Sequence, residues 1–232
     1  MSMTAPDTRA EIAGRASPAR TRRGALQRLA AIVAVSAIEG CTSIITRPAP
    51  VRRTFLLDPP LPPAAGQGPK AGVLRIGAIN VAAPFRGKQF VYRTSDLGFE
   101  SDFYDEWFVP PGTMLADAVA KGLAAARVFE RVVAAGTAGH AGDFVLDGFV
   151  SALFGDTRAG ARASANLTVS FYLTAIDVPG SAPVWTREYA QRSDVVGAGP
   201  DALAQGLNSA LGAVLRGLAR DLAAADLPKP AP

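Results

Sequence analysis

The sequence predicts an α+β domain in which a mainly antiparallel sheet is packed by two helices. Residues Ala165–Ile176 alternate strictly between apolar and polar, the signature of a strand with one dry and one wet face. Residues Pro200–Ala225 carry a leucine stripe in steps of three and four, the signature of a helix with one buried face. Strand-like runs come in groups separated by single helices, which suits helices laid against one sheet.

Taken in chain order, Arg53–Asp58 reads as a short strand inside a Pro-, Ala- and Gly-rich stretch covering residues 46–70. Val73–Val81 (VLRIGAINV) is apolar on both alternating sets, which suits a strand covered on both faces. Lys88–Arg93 is a second short strand, and the acidic, aromatic stretch from Thr94 to Gly112 reads as a loop. Behind Pro110-Pro111-Gly112, Leu115, Val119 and Leu123 recur every fourth residue, predicting a helix over Thr113–Arg127. Phe144–Phe154 and Val184–Arg192 are further strands, with turns at Gly155-Asp156 and Pro179-Gly180. In the last helix Leu203, Leu207, Leu211, Val214, Leu218 and Leu222 form the buried face, and Pro200-Asp201 suits its first turn. The expected organisation is a leader over residues 1–40, a tether over 41–70, one domain over 71–226 and a disordered tail over 227–232.

With 49% hydrophobic residues in 232, the chain can build a core. Its pI near 9.6 suggests a basic protein, but the charge is unevenly placed. Residues 1–40 hold six arginines against Asp7, Glu11 and Glu39. Removing these from 24 basic and 20 acidic residues leaves 18 and 17, so the body is nearly neutral and offers no nucleic-acid footprint.

From Thr21 the chain reads TRRGALQRLAAIVAVSAIEGC: arginines, ten residues that are apolar apart from Ser36, then Gly40 and Cys41. That is the order of a signal peptide, and ten residues are far short of the roughly 20 needed to span a bilayer. Ile38-Glu39-Gly40-Cys41 resembles a lipobox, where signal peptidase II cleaves before a lipidated cysteine. Glu39 departs from the small residue such motifs carry. Thr21-Arg22-Arg23 weakly resembles a twin-arginine export signal. Cys41, the only cysteine, is therefore the expected lipid attachment site. Thr42 after it favours the outer membrane, by resemblance to sorted lipoproteins.

Catalytic constellations are missing. One cysteine and one histidine exclude Cys/His zinc sites of the usual kind, and no P-loop, G-x-S-x-G elbow or dinucleotide fingerprint is present. His140 lies in a Gly/Ala loop and Asp102, Asp105 and Glu106 in an acidic one, both read as solvated. No metal, cofactor or enzymatic activity is expected.

Eight of the 17 aromatic residues fall within Phe85–Phe108. Phe90 and Trp107 read as core. The remainder either cap the sheet or form a partner or lipid-tail surface. Asp96, Glu100, Asp102, Asp105 and Glu106 surround these rings and cannot all be buried unpaired, which keeps part of the segment at the surface. Phe99, Phe103, Tyr104 and Phe108 are the expected contacts, with Phe103 and Tyr104 on opposite sides of an extended run.

Several pieces in order resemble the auxiliary lipoproteins of ABC-type transport systems, the group that includes paraquat-inducible protein C. They are Phe55-Leu56-Leu57-Asp58, a Val-containing strand ending near Pro84, Phe90-Val91-Tyr92-Arg93, an acidic-aromatic run closing on Trp107, and the helix Met114–Arg127 followed by Val128-Phe129. The resemblance implies a non-catalytic accessory that docks an MCE (mammalian cell entry) protein at the outer membrane, and through it an ABC permease and ATPase moving phospholipid. A homo-oligomer is compatible with that role. The alternatives are a lipoprotein that itself carries a lipid or apolar ligand, and one that assembles an outer-membrane component.

Overall fold

Alternation along Ser164–Ala175 places Ala165, Leu167, Val169, Phe171, Leu173 and Ala175 in the core and leaves the residues between them half-buried. This strand lies at the heart of a computed structural model that describes residues 51–66, 68–136, 142–176 and 182–229. These residues belong to a unit running from Pro50 to the C-terminus. Its strands are β1 (Arg53–Phe55), β2 (Lys70–Val81), β3 (Gln89–Arg93), β4 (Phe99–Trp107), β5 (Phe129–Val133), β6 (Phe144–Asp156), β7 (Ser164–Ala175) and β8 (Trp185–Asp194). The helices are α1 (Pro111–Ala126) and α2 (Pro200–Ala224).

The α+β class expected from the sequence is the one observed, with all eight described strands in one sheet. Its pairing is mixed. One long half, β6-β7-β8, is antiparallel, with twelve paired positions between β6 and β7. The other edge of β6 carries β2 in parallel along Phe144–Val150 and β3 in parallel at Gly155 and Asp156. From β2 the sheet continues in parallel to β5. From β3 it continues antiparallel to β4 and then in parallel to β1.

Both helices cover one face. Leu207, Leu211, Val214 and Leu218 of α2 are buried, as the leucine stripe predicts, while Arg216 and Arg220 are exposed. The glycine at position 199 has φ 83°, a conformation glycine adopts freely, and it turns the chain into Pro200 at the first helical position. Asp201 does not cap the helix through its side chain. Helix α1 opens on Pro111 and ends at Arg127, a non-glycine residue with φ 52°, after which Val128 and Phe129 return to the core.

Four expectations need correction. The stretch read as a loop contains β4, and a strand not foreseen, β5, follows α1. The turn expected at Gly155-Asp156 is the paired end of β6. The strand expected over Arg53–Asp58 ends at Phe55. Most of the stretch expected as a tether is docked on the domain. Phe55 and Leu57 pack against the core, Pro59 and Pro62 are buried, and the Asp58 amide donates to Asn208 Oδ1 at 2.7 Å. Farther on, the Ala65 amide donates to the Ala126 carbonyl at 2.9 Å, and that of Lys70 to Val128 at 2.8 Å. Apolar ring and chain surface, not periodicity, holds this segment down.

Candidate partner-binding surface on the β1–β4 edge

Strand β4 is defined by its neighbours. It pairs with β3 at Tyr92↔Glu100 and Val91↔Ser101, then next at Gln89↔Glu106. Two steps along β3 thus correspond to five along β4, so the chain bulges outward over 102–105. Asp102 holds the bulge: its Oδ1 accepts the amides of Tyr104 at 2.8 Å and Asp105 at 3.0 Å.

The bulge places Phe103 and Tyr104 together, not on opposite sides of the strand. Their rings meet edge to face with centroids 5.1 Å apart, and both are exposed, Phe103 at 72% and Tyr104 at 40%. The Arg52 guanidinium lies over the Phe103 ring at 5.6 Å. After the bulge the strand turns inward again. Trp107 is buried against Phe90 at 4.5 Å, and Phe90 meets Phe55 of β1 at 5.0 Å, so Phe90 and Trp107 are core as the sequence suggests.

Phe99 lies at the other end of β4, 47% exposed, edge-on to Phe154 at 5.4 Å and under the Arg93 guanidinium at 5.9 Å. Phe108 follows the strand, 59% exposed, its amide donating to the Phe55 carbonyl at 2.8 Å. Since Phe55 pairs with Trp107 and both face inward, alternation puts Leu56 and Phe108 side by side on the outer face. Leu56 and Leu61 are also exposed and line a cleft of about 330 Å³ with Val109 and Met114.

The acidic residues here are largely spoken for. Asp105 is buried, and Arg53 grips it from Nε at 2.9 Å and Nη2 at 3.3 Å while reaching Asp201 from Nη1 at 3.0 Å. That bridge, with the Asp105 hydrogen bonds leading, raises the Arg53 pKa. Lys88 lies 3.7 Å from Glu106. Hydrogen bonding from Arg158 lowers the pKa of Asp156, and Arg158 also reaches Asp96. Half-burial, reinforced by Asp102 and Asp105, pushes the Tyr92 phenol up to about 12.

The structure therefore splits the four expected contacts into an aromatic pair at the bulge, Phe99 against Phe154, and Phe108 beside Leu56. Arg52, Arg53, Leu56 and Leu61 join this surface without having been expected as contacts; the only signal was that the first three fall in the run RRTFLLD, with Leu61 three residues beyond it. Cys41 and His140 lie outside the described residues. Among the described residues no group of three His, Cys, Asp or Glu side chains is placed to hold a metal ion. No described helix is long and apolar enough to cross a membrane.

Residues 55–219 match the family of ABC-type transport auxiliary lipoprotein components. No curated protein matches the chain. Among solved structures, it is similar to the protein XCC0632 of Xanthomonas campestris, described under the family DUF330, with a TM-score of 0.64 at 16% identity. That similarity covers 72% of this chain and 92% of that one. A second similar structure, an uncharacterized protein, gives a TM-score of 0.57 at 16% identity over 74% and 99% of the two chains. At such identity both likenesses speak to the fold alone.

Proposed function

The chain belongs to the ABC-type transport auxiliary lipoprotein family, and from that premise we propose that it is a non-catalytic accessory of an ABC/MCE-type phospholipid transport system. It is anchored through acylated Cys41 on the periplasmic side of the outer membrane, and there it docks the MCE component that connects to the permease and ATPase. The observation that carries this reading is the family match over residues 55–219.

The architecture suits an accessory better than a carrier. Helices and sheet are in direct contact. A Cβ on Gly206 would lie 2.8 Å from Ala165, and one on Gly217 2.9 Å from the Tyr189 ring. A cleft of about 480 Å³ opens between β2 and the start of α1 and has Arg86, Asn80 and Asp117 among its lining residues. Charged side chains on its walls suit it poorly to acyl chains, which need an apolar enclosure.

The partner contact is proposed at the edge formed by β1, the end of β4 and the segment that follows β1. Leu56 and Leu61 supply an apolar centre where that segment meets α1, Asp58, Asp117 and Lys121 a charged rim, and Phe108 is the exposed ring that follows β4. Phe99 extends the same strand at its far end. Phe103 and Tyr104 stand apart from this patch, beside the point where the chain enters the domain.

The test is co-purification of the MCE protein with a Leu56→Ala, Phe108→Ala variant that keeps its melting temperature. Interface anchors of this kind lose roughly tenfold or more in affinity when truncated. Undiminished co-purification removes this face from the interface. In parallel, Cys41→Ala is expected to release the protein from membranes or leave an uncleaved precursor; unchanged fractionation and mass refute the anchor.

A further inference from the structure

We propose that the tip formed by Phe103, Tyr104 and Arg52 is a contact with the phospholipid bilayer, one that fixes the domain's orientation on the membrane to which it is anchored. The inference rests on the reading of Cys41 as the acylated residue.

Chain length comes first. Nine residues separate Cys41 from Val51, where the described structure begins. Even fully extended, the ten steps from Cys41 to Val51 reach at most about 35 Å, at roughly 3.3–3.6 Å per residue. Arg52 follows Val51 directly and stacks on Phe103. Of the surfaces described, this tip is therefore the one where the anchored chain enters the fold, and it cannot stray far from the headgroups.

Its composition suits the membrane–water boundary. Phe103 offers an apolar ring at 72% exposure, and Tyr104 a ring with a polar end. Aromatic residues with one wet end concentrate at headgroup depth, and arginine can lay its stem on apolar surface while its guanidinium stays in the polar layer. Arg52 forms no salt bridge among the described residues, leaving its charge available to lipid phosphate. The two carboxylates within the bulge are engaged: Asp102 accepts two backbone amides, and Asp105 is buried against Arg53. Desolvating the tip therefore carries no unpaired acid of the bulge into the interface.

The shape points the same way. Two rings standing out on a bulge fit a soft surface that closes around them. The bulge is also braced, by Asp102 from within and by β1 alongside, so insertion orders little new chain.

The experiment uses the acylated mature protein on vesicles of phosphatidylethanolamine and phosphatidylglycerol, with no partner present. Acylation occupies Cys41, so a single introduced cysteine takes an environment-sensitive fluorophore. One variant is Ser101→Cys, exposed on β4 next to the bulge; the control is Ala190→Cys, exposed on β8. The expected result is blue-shifted emission at 101, with quenching by headgroup-level nitroxide lipids at least about twofold stronger than at 190. Adding Phe103→Ala and Tyr104→Ala should abolish the difference. A vesicle-bound, acylated protein whose two labels are equally solvated overturns the inference alone. So does a shift at 101 that appears only when the MCE protein is added, which would make the tip a protein contact. A mature protein whose mass shows no acyl group on Cys41 overturns the lipoprotein reading, and the inference with it.

Discussion

Glycine 217, in the C-terminal half of α2, gives a prediction whose sign depends on tertiary structure. In an exposed helix interior, Gly→Ala stabilises by about 0.8–1.0 kcal/mol, because alanine has less backbone freedom to lose. Here a Cβ would stand 2.9 Å from Cε1 and 3.3 Å from Cδ1 of Tyr189. That ring has little room to retreat. Its hydroxyl donates to Asp221 Oδ2 at 3.0 Å, Asp221 is further held by Arg187 and Arg220, and Phe171 packs edge-on from another side at 6.1 Å. Overpacking a tied ring costs about 1–3 kcal/mol. Subtracting the helical gain leaves Gly217→Ala destabilising by on the order of 1 kcal/mol, or about 2–4 °C in melting temperature for a domain of this size. The assay is thermal and urea unfolding in two backgrounds. In Tyr189→Leu the obstructing ring is absent, so the same substitution should become stabilising by about 0.5–1 kcal/mol. A stabilising Gly217→Ala in the native background, or an equal penalty in both, would refute the packing argument.

Two further outcomes follow from the same helix and from the sheet edge. Leu211→Ala, at a fully buried position, should cost about 2–5 kcal/mol in a denaturant series. Arg216→Ala on the exposed face should cost roughly 0.5 kcal/mol or less, and equal effects would contradict the helix orientation. Tyr92 sets a limit at alkaline pH. Burial, then Asp102 and Asp105, raises its pKa from 10.0 to about 12, so between these values the unfolded chain releases a proton that the folded one keeps. The contribution is complete below pH 10 and falls away as pH rises toward 12. Tyr92→Phe should flatten that decline in urea midpoints taken from pH 9 to pH 11; an unchanged slope means the phenol titrates normally.

What the sequence makes legible is periodicity, and what it conceals is pairing. The strand at Ser164–Ala175 and the stripe of α2 are visible because one face of each is buried along its whole length. Strand β4 has no such face: only Asp105 and Trp107 near its end are buried, and acids and rings alternate elsewhere without a period. It is a strand because β3 and β1 flank it. Parallel direction is hidden for the same reason: β2 is flanked in parallel by β5 and β6, yet only Leu74, Ile76 and Ile79 are buried while Arg75, Ala78 and Asn80 are exposed, so it is covered on one face and not on the two that its apolar pattern suggests. The docked proline segment is hidden more deeply. Pro60 is seated where α2 has Gly212, whose Cβ would come within 2.8 Å of it, a fit between residues about 150 apart in sequence.

The candidate surface follows the same rule. The density of aromatics in Phe85–Phe108 identifies the region, but the roles of individual rings depend on register. In a regular strand Phe103 and Tyr104 would diverge, one inward and one outward. Five residues of β4 set against two of β3 bring them to the same tip, and the two amides that Asp102 holds keep them there. Two of the acids act from within the segment, Asp102 as bulge brace and Asp105 as partner of Arg53, while Asp96 and Glu100 stay exposed outside residues 102–105. What stands out at the bulge itself is the ring pair with Arg52 over it, which is why that tip is the one proposed as a contact.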